Sequence, residues 1–217
     1  MKLGIMQPYF LPYIGYFNLI NEVDCICFLD DVNYINKGWI NRNFFFSKNK
    51  NLLLTVPLVK RSQNKKINEH FIFEKPLFHK HFSKILIESY SNNLAYDFVD
   101  KHNNFSKNLS IYNVEGIKFC MNYLNIKRKI IYSSDLNINL NGKDRIIEIC
   151  KVLNAKFYVN LPGGRSLYKK SDFEQENIQL KFIENKSKSV FNYSILHDIL
   201  SLDRNKLIEK LENYEVS

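Results

Sequence analysis

A three-layer α/β fold on a mainly parallel, Rossmann-like sheet is the architecture this sequence predicts, and three observations predict it. A strand, a turn, a helix and a second strand open the chain; another strand–helix–strand unit runs through residues 129–159; and short apolar runs alternate with amphipathic stretches almost to the end. Size agrees: 217 residues, 45% of them hydrophobic and 24% charged, can bury about 70% of the unfolded surface in one domain over residues 1–217. Disorder and fibrous repeats are excluded for the chain as a whole.

The elements follow in order. Lys2 to Gln7 is a short apolar run stopped by Pro8, and Pro12 and Gly15 frame a turn before residues 16–21, whose apolar spacing suits a short helix. Asp24 opens residues 25–29, a buried-strand composition that ends at Asp30-Asp31. Residues 51–58 and 67–73 read as two strands around the basic run 60–66, giving an inserted or edge hairpin. Pro76 stands where a first helical turn accepts proline, and residues 77–90 place Phe78, Phe82, Ile85 and Leu86 on one side. A second amphipathic stretch runs from about Phe105 to Tyr123, so the middle of the chain is a helical segment. Residues 129–132 and 156–159 read as strands around a helix at 143–153, with Ile146, Ile147, Cys150 and Leu153 on one face. Residues 179–183 supply one more strand, and residues 193–211 one or two closing helices around Asp203.

Charge and cysteine usage narrow the classes. The net charge is +9, but Lys and Asn are abundant everywhere and the bases cluster on no helix face, which disfavours nucleic acid. The densest positive run, Lys60-Arg61-Ser62-Gln63-Asn64-Lys65-Lys66, reads as a solvated loop ahead of a phosphate tract. Cys25, Cys27, Cys120 and Cys150 lack metal-knuckle spacing, and Cys25 and Cys27 fall on one side of their strand, so all four are expected to be reduced and buried. No apolar run approaches the roughly 18 residues of a membrane span, and no signal-peptide core follows Met1-Lys2. A soluble, cytoplasmic protein is expected; a homo-oligomer is allowed.

Ligands of open parallel sheets lie beyond the carboxyl ends of the strands, and three polar clusters fall there. Gln7-Pro8-Tyr9-Phe10-Leu11-Pro12-Tyr13-Ile14-Gly15-Tyr16 offers four aromatic faces on a restricted backbone, which suits a nucleobase or sugar ring as well as plain packing. Asp30 and Asp31, with Trp39, Asn41, Arg42 and Asn43 following, form an acid pair beside an indole and a guanidinium. The acids point to opposite faces unless the chain turns between them, and they can hold hydroxyls or a proton in transit, or merely cap a turn. Asn160-Leu161-Pro162-Gly163-Gly164-Arg165, followed by Tyr168, is either a backbone nest for an anion or a tight turn with a solvent-facing arginine. Asp144 could pair with Arg42 or Arg165. His79 and His81 diverge on a helix and lack a nearby acid or cysteine, so they are read as surface, and His70, His102 and His197 as structural; no metal site and no cofactor fingerprint is identified. Nothing resembles a nucleophile elbow.

On these residues the chain resembles the WbqC-like family of bacterial proteins. The match comprises Gln7-Pro8 with Phe10, Pro12 and Gly15; Leu29-Asp30-Asp31-Val32; Gly38-Trp39-Ile40-Asn41-Arg42-Asn43; Thr55-Val56-Pro57; and Asn160-Leu161-Pro162-Gly163-Gly164-Arg165 with Tyr168. Members usually carry tryptophan where Tyr13 stands, and Gln where Asn33 stands. The resemblance implies an accessory enzyme of surface-polysaccharide or O-antigen assembly. A fainter architectural similarity is to nucleotidyltransferases and pantothenate-synthetase-like ligases, but their histidine motif is absent between Gln7 and Tyr16, which speaks against adenylyl transfer by that route.

The expected activity is therefore a transferase or ligase attaching an acyl or aminoacyl group to a nucleotide-activated amino sugar. Asp30 or Asp31 would act as base or hydroxyl ligand, with Arg42 as a further catalytic group. Gln7, Phe10, Tyr13, Trp39, Asn41, Asn43, Gly163, Gly164, Arg165 and Tyr168 would contact substrate. The alternative is a non-catalytic nucleotide-sugar-binding or scaffold protein.

Overall fold

The structure, a computed structural model, describes residues 1–186 and 192–217. Its central sheet has six strands: β1 (Lys2–Met6), β2 (Cys25–Phe28), β5 (Lys129–Tyr132), β6 (Phe157–Asn160), β7 (Gln179–Asn185) and β8 (Tyr214–Val216), in the order β5-β2-β1-β6-β7-β8. All neighbours are parallel except β8, which runs antiparallel to β7. The period-2 alternation of each strand divides the core between two faces. Leu3, Ile5, Cys25, Cys27, Tyr158 and Leu180 meet α5 (Gly142–Val152) and α6 (Lys170–Glu174) through Ile146, Ile149, Cys150 and Phe173. Ile26, Phe28, Val159 and Ile183 belong to the other core, with α1 (Ile14–Glu22), α4 (Leu109–Tyr123), α7 (Ile195–Ser201) and α8 (Arg204–Glu212). Helices on both faces make the three layers. The four cysteines are free and buried. Gly4 allows α1 to lie close, because a Cβ there would stand 3.0 Å from Ile26 and 3.5 Å from Leu19 and Val23.

The inserted hairpin differs from expectation. It pairs β3 (Arg42–Ser47) with β4 (Lys50–Thr55) as a separate two-stranded sheet, not residues 51–58 with 67–73. Lys48 and Asn49 between them both have positive φ, the backbone a two-residue hairpin turn demands, and Phe44, Phe45 and Phe46 supply the strand composition. Of the expected pairing one bridge remains, Leu58 to Ile72, because residues 67–69 turn as a 3-10 helix. The helical segment contains α2 (Lys75–Tyr90) and an unexpected α3 (Asn93–Asn103) before α4. Asn92 and Asn108 cap the last two by accepting from Ala95 N and from Ser110 N and Ile111 N. No helix among the described residues is long and apolar enough to cross a membrane.

Candidate functional site

The chain leaves β1 toward β2 on one side, while the next strand on the other side of β1 is β6, reached from β5 across the sheet. The loops after β1 and β6 therefore diverge, and a crevice must open between them. A cavity of about 450 Å³ lies there. Its walls are Gln7, Tyr9 and Tyr13 from the β1 loop, Ile35 and Trp39 from the β2 loop, and Asn160, Leu161, Gly163, Gly164, Leu167 and Tyr168 after β6, with Tyr158 and Ile146 below. None of the described lining residues is charged. Burial pushes the phenol pKa of Tyr9, Tyr13, Tyr158 and Tyr168 upward, so all four stay protonated at neutral pH and can donate hydrogen bonds. The Gln7 side-chain oxygen is buried without a partner.

The loops are shaped by buried amides. Asn43 Nδ2 donates to Phe10 O (3.1 Å) and Leu11 O (2.7 Å), and Asn113 Nδ2 to Pro8 O (2.9 Å) and Ile40 O (2.6 Å). Asn41 donates to Val56 O at 2.8 Å and accepts from the Tyr34 hydroxyl at 2.6 Å. These bonds hold Leu11 at φ 42°, a left-handed backbone costly for a branched residue, which carries the chain from Phe10 in the core to Tyr13 at the cavity. Gly164 is required by packing, since a Cβ there would collide with the Asn160 amide.

Several expected substrate contacts thus have other partners. Phe10 is 1% exposed among Phe45, Phe78, Phe82 and Tyr112, so it packs the core. Asn41 and Asn43 are buried loop ties. Arg42 donates from Nε to Gly38 O at 3.1 Å and also to Lys37 O, its guanidinium 6.0 Å from the Trp39 ring centre, so it braces the Trp39 loop. Arg165 pairs with Glu184, donates to Ser217 at 2.8 Å and lies over Phe182 at 4.5 Å, turned to the outer strands. Gln7, Tyr13, Trp39, Gly163, Gly164 and Tyr168 do share the one cavity.

Asp31 lines a second cleft, of about 850 Å³, beyond β2 and β5, and Asp30 is buried behind it. The chain turns directly after β2, so Asp30 and Asp31 converge on one serine: Ser133 Oγ lies 3.3 Å from Asp30 Oδ1 and closer still to Asp31 Oδ1. Asp30, 4% exposed, also accepts from Ser134 N (3.0 Å), Ser134 Oγ (2.7 Å) and Asn68 Nδ2 (3.3 Å). Asp31 accepts from Arg145 Nη2 at 2.5 Å. Burial raises its pKa, but the bonds from Arg145 and Ser133 outweigh that, and Asp31 is held below the usual carboxylate range. A carboxyl tuned this way remains an acceptor and is a weak base at neutral pH.

A profile of the WbqC-like protein family matches residues 7–198, which takes in both clefts. The chain belongs to the WbqC-like family. A relative, the protein of Mycobacterium tuberculosis described as uncharacterized Rv1507c, is 27% identical over 193 residues, covering 84% of this chain and 82% of that one. No solved structure matches. In this WbqC-like chain sequence reasoning missed Arg145, Ser133 and Ser134. Asp144 was considered as a partner for Arg42 or Arg165; the ion pair is instead made by its neighbour Arg145, with Asp31. Helical periodicity could have found it, because Arg145 and Ile149 are spaced to share the inward face of α5. Tyr158, the second residue of β6, lines the cavity from within the strand, and strand periodicity gives no signal of that.

Proposed function

We propose that this protein is a transferase or ligase of bacterial surface-polysaccharide biosynthesis that attaches an acyl or aminoacyl group to a nucleotide-activated amino sugar. The observation that carries the reading is the uncharged, aromatic cavity at the switch point of the sheet, where Trp39 and Tyr13 offer flat faces to a ring and four protonated phenols offer donors to carbonyl oxygens. In this reading Tyr168, whose hydroxyl is bonded to that of the buried Tyr158, donates to the acyl oxygen as charge develops on it. Asp31 serves from the second cleft as a hydroxyl acceptor, with Asp30 holding Ser133 and Ser134 behind it, and Arg42 positions Trp39. The test is the mass of the polysaccharide repeat in a host with the gene deleted and then restored as wild type, Trp39→Ala or Tyr168→Phe. Loss of one acyl or aminoacyl substituent on deletion, not recovered by Trp39→Ala, supports transfer; a repeat of unchanged mass sinks it.

A non-catalytic nucleotide-sugar-binding or scaffold protein is favoured by one observation, the lack of any charged side chain among the described lining residues of the cavity. That reading expects an unchanged repeat, reduced polymer yield and intact ligand affinity in Tyr168→Phe.

A further inference from the structure

We infer that the aromatic cavity is one half of a bipartite site, and that a polar chamber on the other side of Gly163 receives the hydrophilic half of the same ligand, a polyhydroxylated group joined to a flat ring. This rests on reading the aromatic cavity as a ligand site and adds the second compartment. The chamber measures about 500 Å³ and shares Tyr13, Leu161 and Gly163 with the aromatic cavity, so the two adjoin. Their chemistry differs: beyond the shared residues the chamber presents Asn185, Asn192, Asn213, Glu184 and Lys210 over an apolar floor of Ile14, Pro162 and Ile183, while the buried Asn18 is committed to Leu211 O at 2.5 Å. Both charges are committed, Lys210 Nζ lying 2.7 Å from Asp198 Oδ1 and Glu184 pairing with Arg165. The amides of Asn185, Asn192 and Asn213 are the polar groups that remain, and amides that both donate and accept suit an uncharged ligand rich in hydroxyls.

Gly163 is the decisive residue. A Cβ at this position would meet nothing within 4 Å, so packing does not require glycine here, in contrast to Gly164. Backbone conformation does not require it either, since Gly142 alone among the described glycines has positive φ. What the missing side chain does provide is open space where the two compartments meet, with Tyr13 and Leu161 on either hand.

The test is calorimetric binding of uridine, N-acetylglucosamine and UDP-N-acetylglucosamine to wild type, Gly163→Leu and Asn185→Leu. Wild type is expected to bind the joined probe at least about tenfold more tightly than uridine, as two engaged halves on one linker should. Gly163→Leu, with a melting temperature like that of wild type, is expected to remove that gain; Asn185→Leu is expected to remove it while leaving uridine affinity unchanged. A joined probe no tighter than uridine in wild type, or unaltered by both substitutions, overturns the second compartment and leaves the ring site standing. No binding of uridine to wild type overturns the reading of the aromatic cavity and this inference with it. Should Gly163→Leu fail to fold, Asn185→Leu alone decides.

Discussion

Asp31 and Arg145 meet at 2.5 Å with side chains only 14% and 9% exposed, so each is the other's principal neutralising partner. Removing one leaves a buried, uncompensated charge: Asp31→Ala should cost about 3 kcal/mol in urea unfolding, and Asp31→Leu with Arg145→Leu should recover most of it. An Asp31→Ala protein as stable as wild type would refute the pairing. The acid response has a second source in His102, whose Nδ1 lies 2.8 Å from His79 Nδ1 beneath α2. Burial, with a smaller contribution from His79 and Lys75, pushes its pKa down from 6.5 to about 3. Between those values the unfolded chain binds a proton that the folded one does not, so stability falls as pH drops through that window. Asp31 acts in the same direction at lower pH: its depressed pKa contributes stability above about pH 4 that is lost on further acidification. His102→Gln should flatten the slope of unfolding free energy between about pH 6.5 and 3 and leave the slope above that window unchanged.

Among the elements, the closing helices show how one side chain sets a boundary. Asp203 accepts from Lys206 N at 3.0 Å and starts α8 immediately after α7 ends, so residues 193–211 split where the sequence placed Asp203. Asp203→Ala should lower the midpoint of thermal unfolding, because Lys206 N loses its cap. The hairpin carries a second expectation: Asn49, at φ 59°, is a non-glycine residue in left-handed backbone, and Asn49→Gly should stabilise by about 0.5–1 kcal/mol. A destabilised variant would mean that the Asn49 side chain makes up for its backbone. The misplaced pairing at 51–58 has a physical reason. Leu58 and Ile72 do meet, but Val59 and Phe73 already turn, Pro57 has no N–H to give a ladder and Ile67–Glu69 turns away, so composition reads as a strand where hydrogen bonding allows one bridge.

At the scale of the whole molecule the cavity depends on contacts made far along the chain. Asn113, on α4, ties Pro8 to Ile40 and so fixes the distance between the first two loops of the site. Asn113→Val would strip the donor from two buried carbonyls, cost about 2 kcal/mol, and shift the emission of Trp39, the single tryptophan of the chain. Unchanged fluorescence in a destabilised variant would separate the fold's need for Asn113 from the cavity's. The same tryptophan is 44% exposed and lines the cavity, so its emission is the natural readout for the proposed ligand site.

Period-2 and period-3.6 patterns determined by themselves that strands and helices alternate, and hence that a mainly parallel sheet is covered on both faces, because burial of apolar faces has few other solutions for such a chain. Those patterns also marked Gln7, Tyr13, Trp39 and the Gly163-Gly164 pair, since loops after parallel strands are where polar, aromatic and glycine residues gather. Only the tertiary structure decided what each polar residue faces. Asn41 and Asn43 look like ligand contacts in sequence and are spent on carbonyls 15 to 33 positions away, and Arg145 emerges as the partner of Asp31 across 114 positions. A side chain's hydrogen bonds are made with neighbours in space, and local sequence carries no information about which distant carbonyl or carboxylate folding will bring within 3 Å.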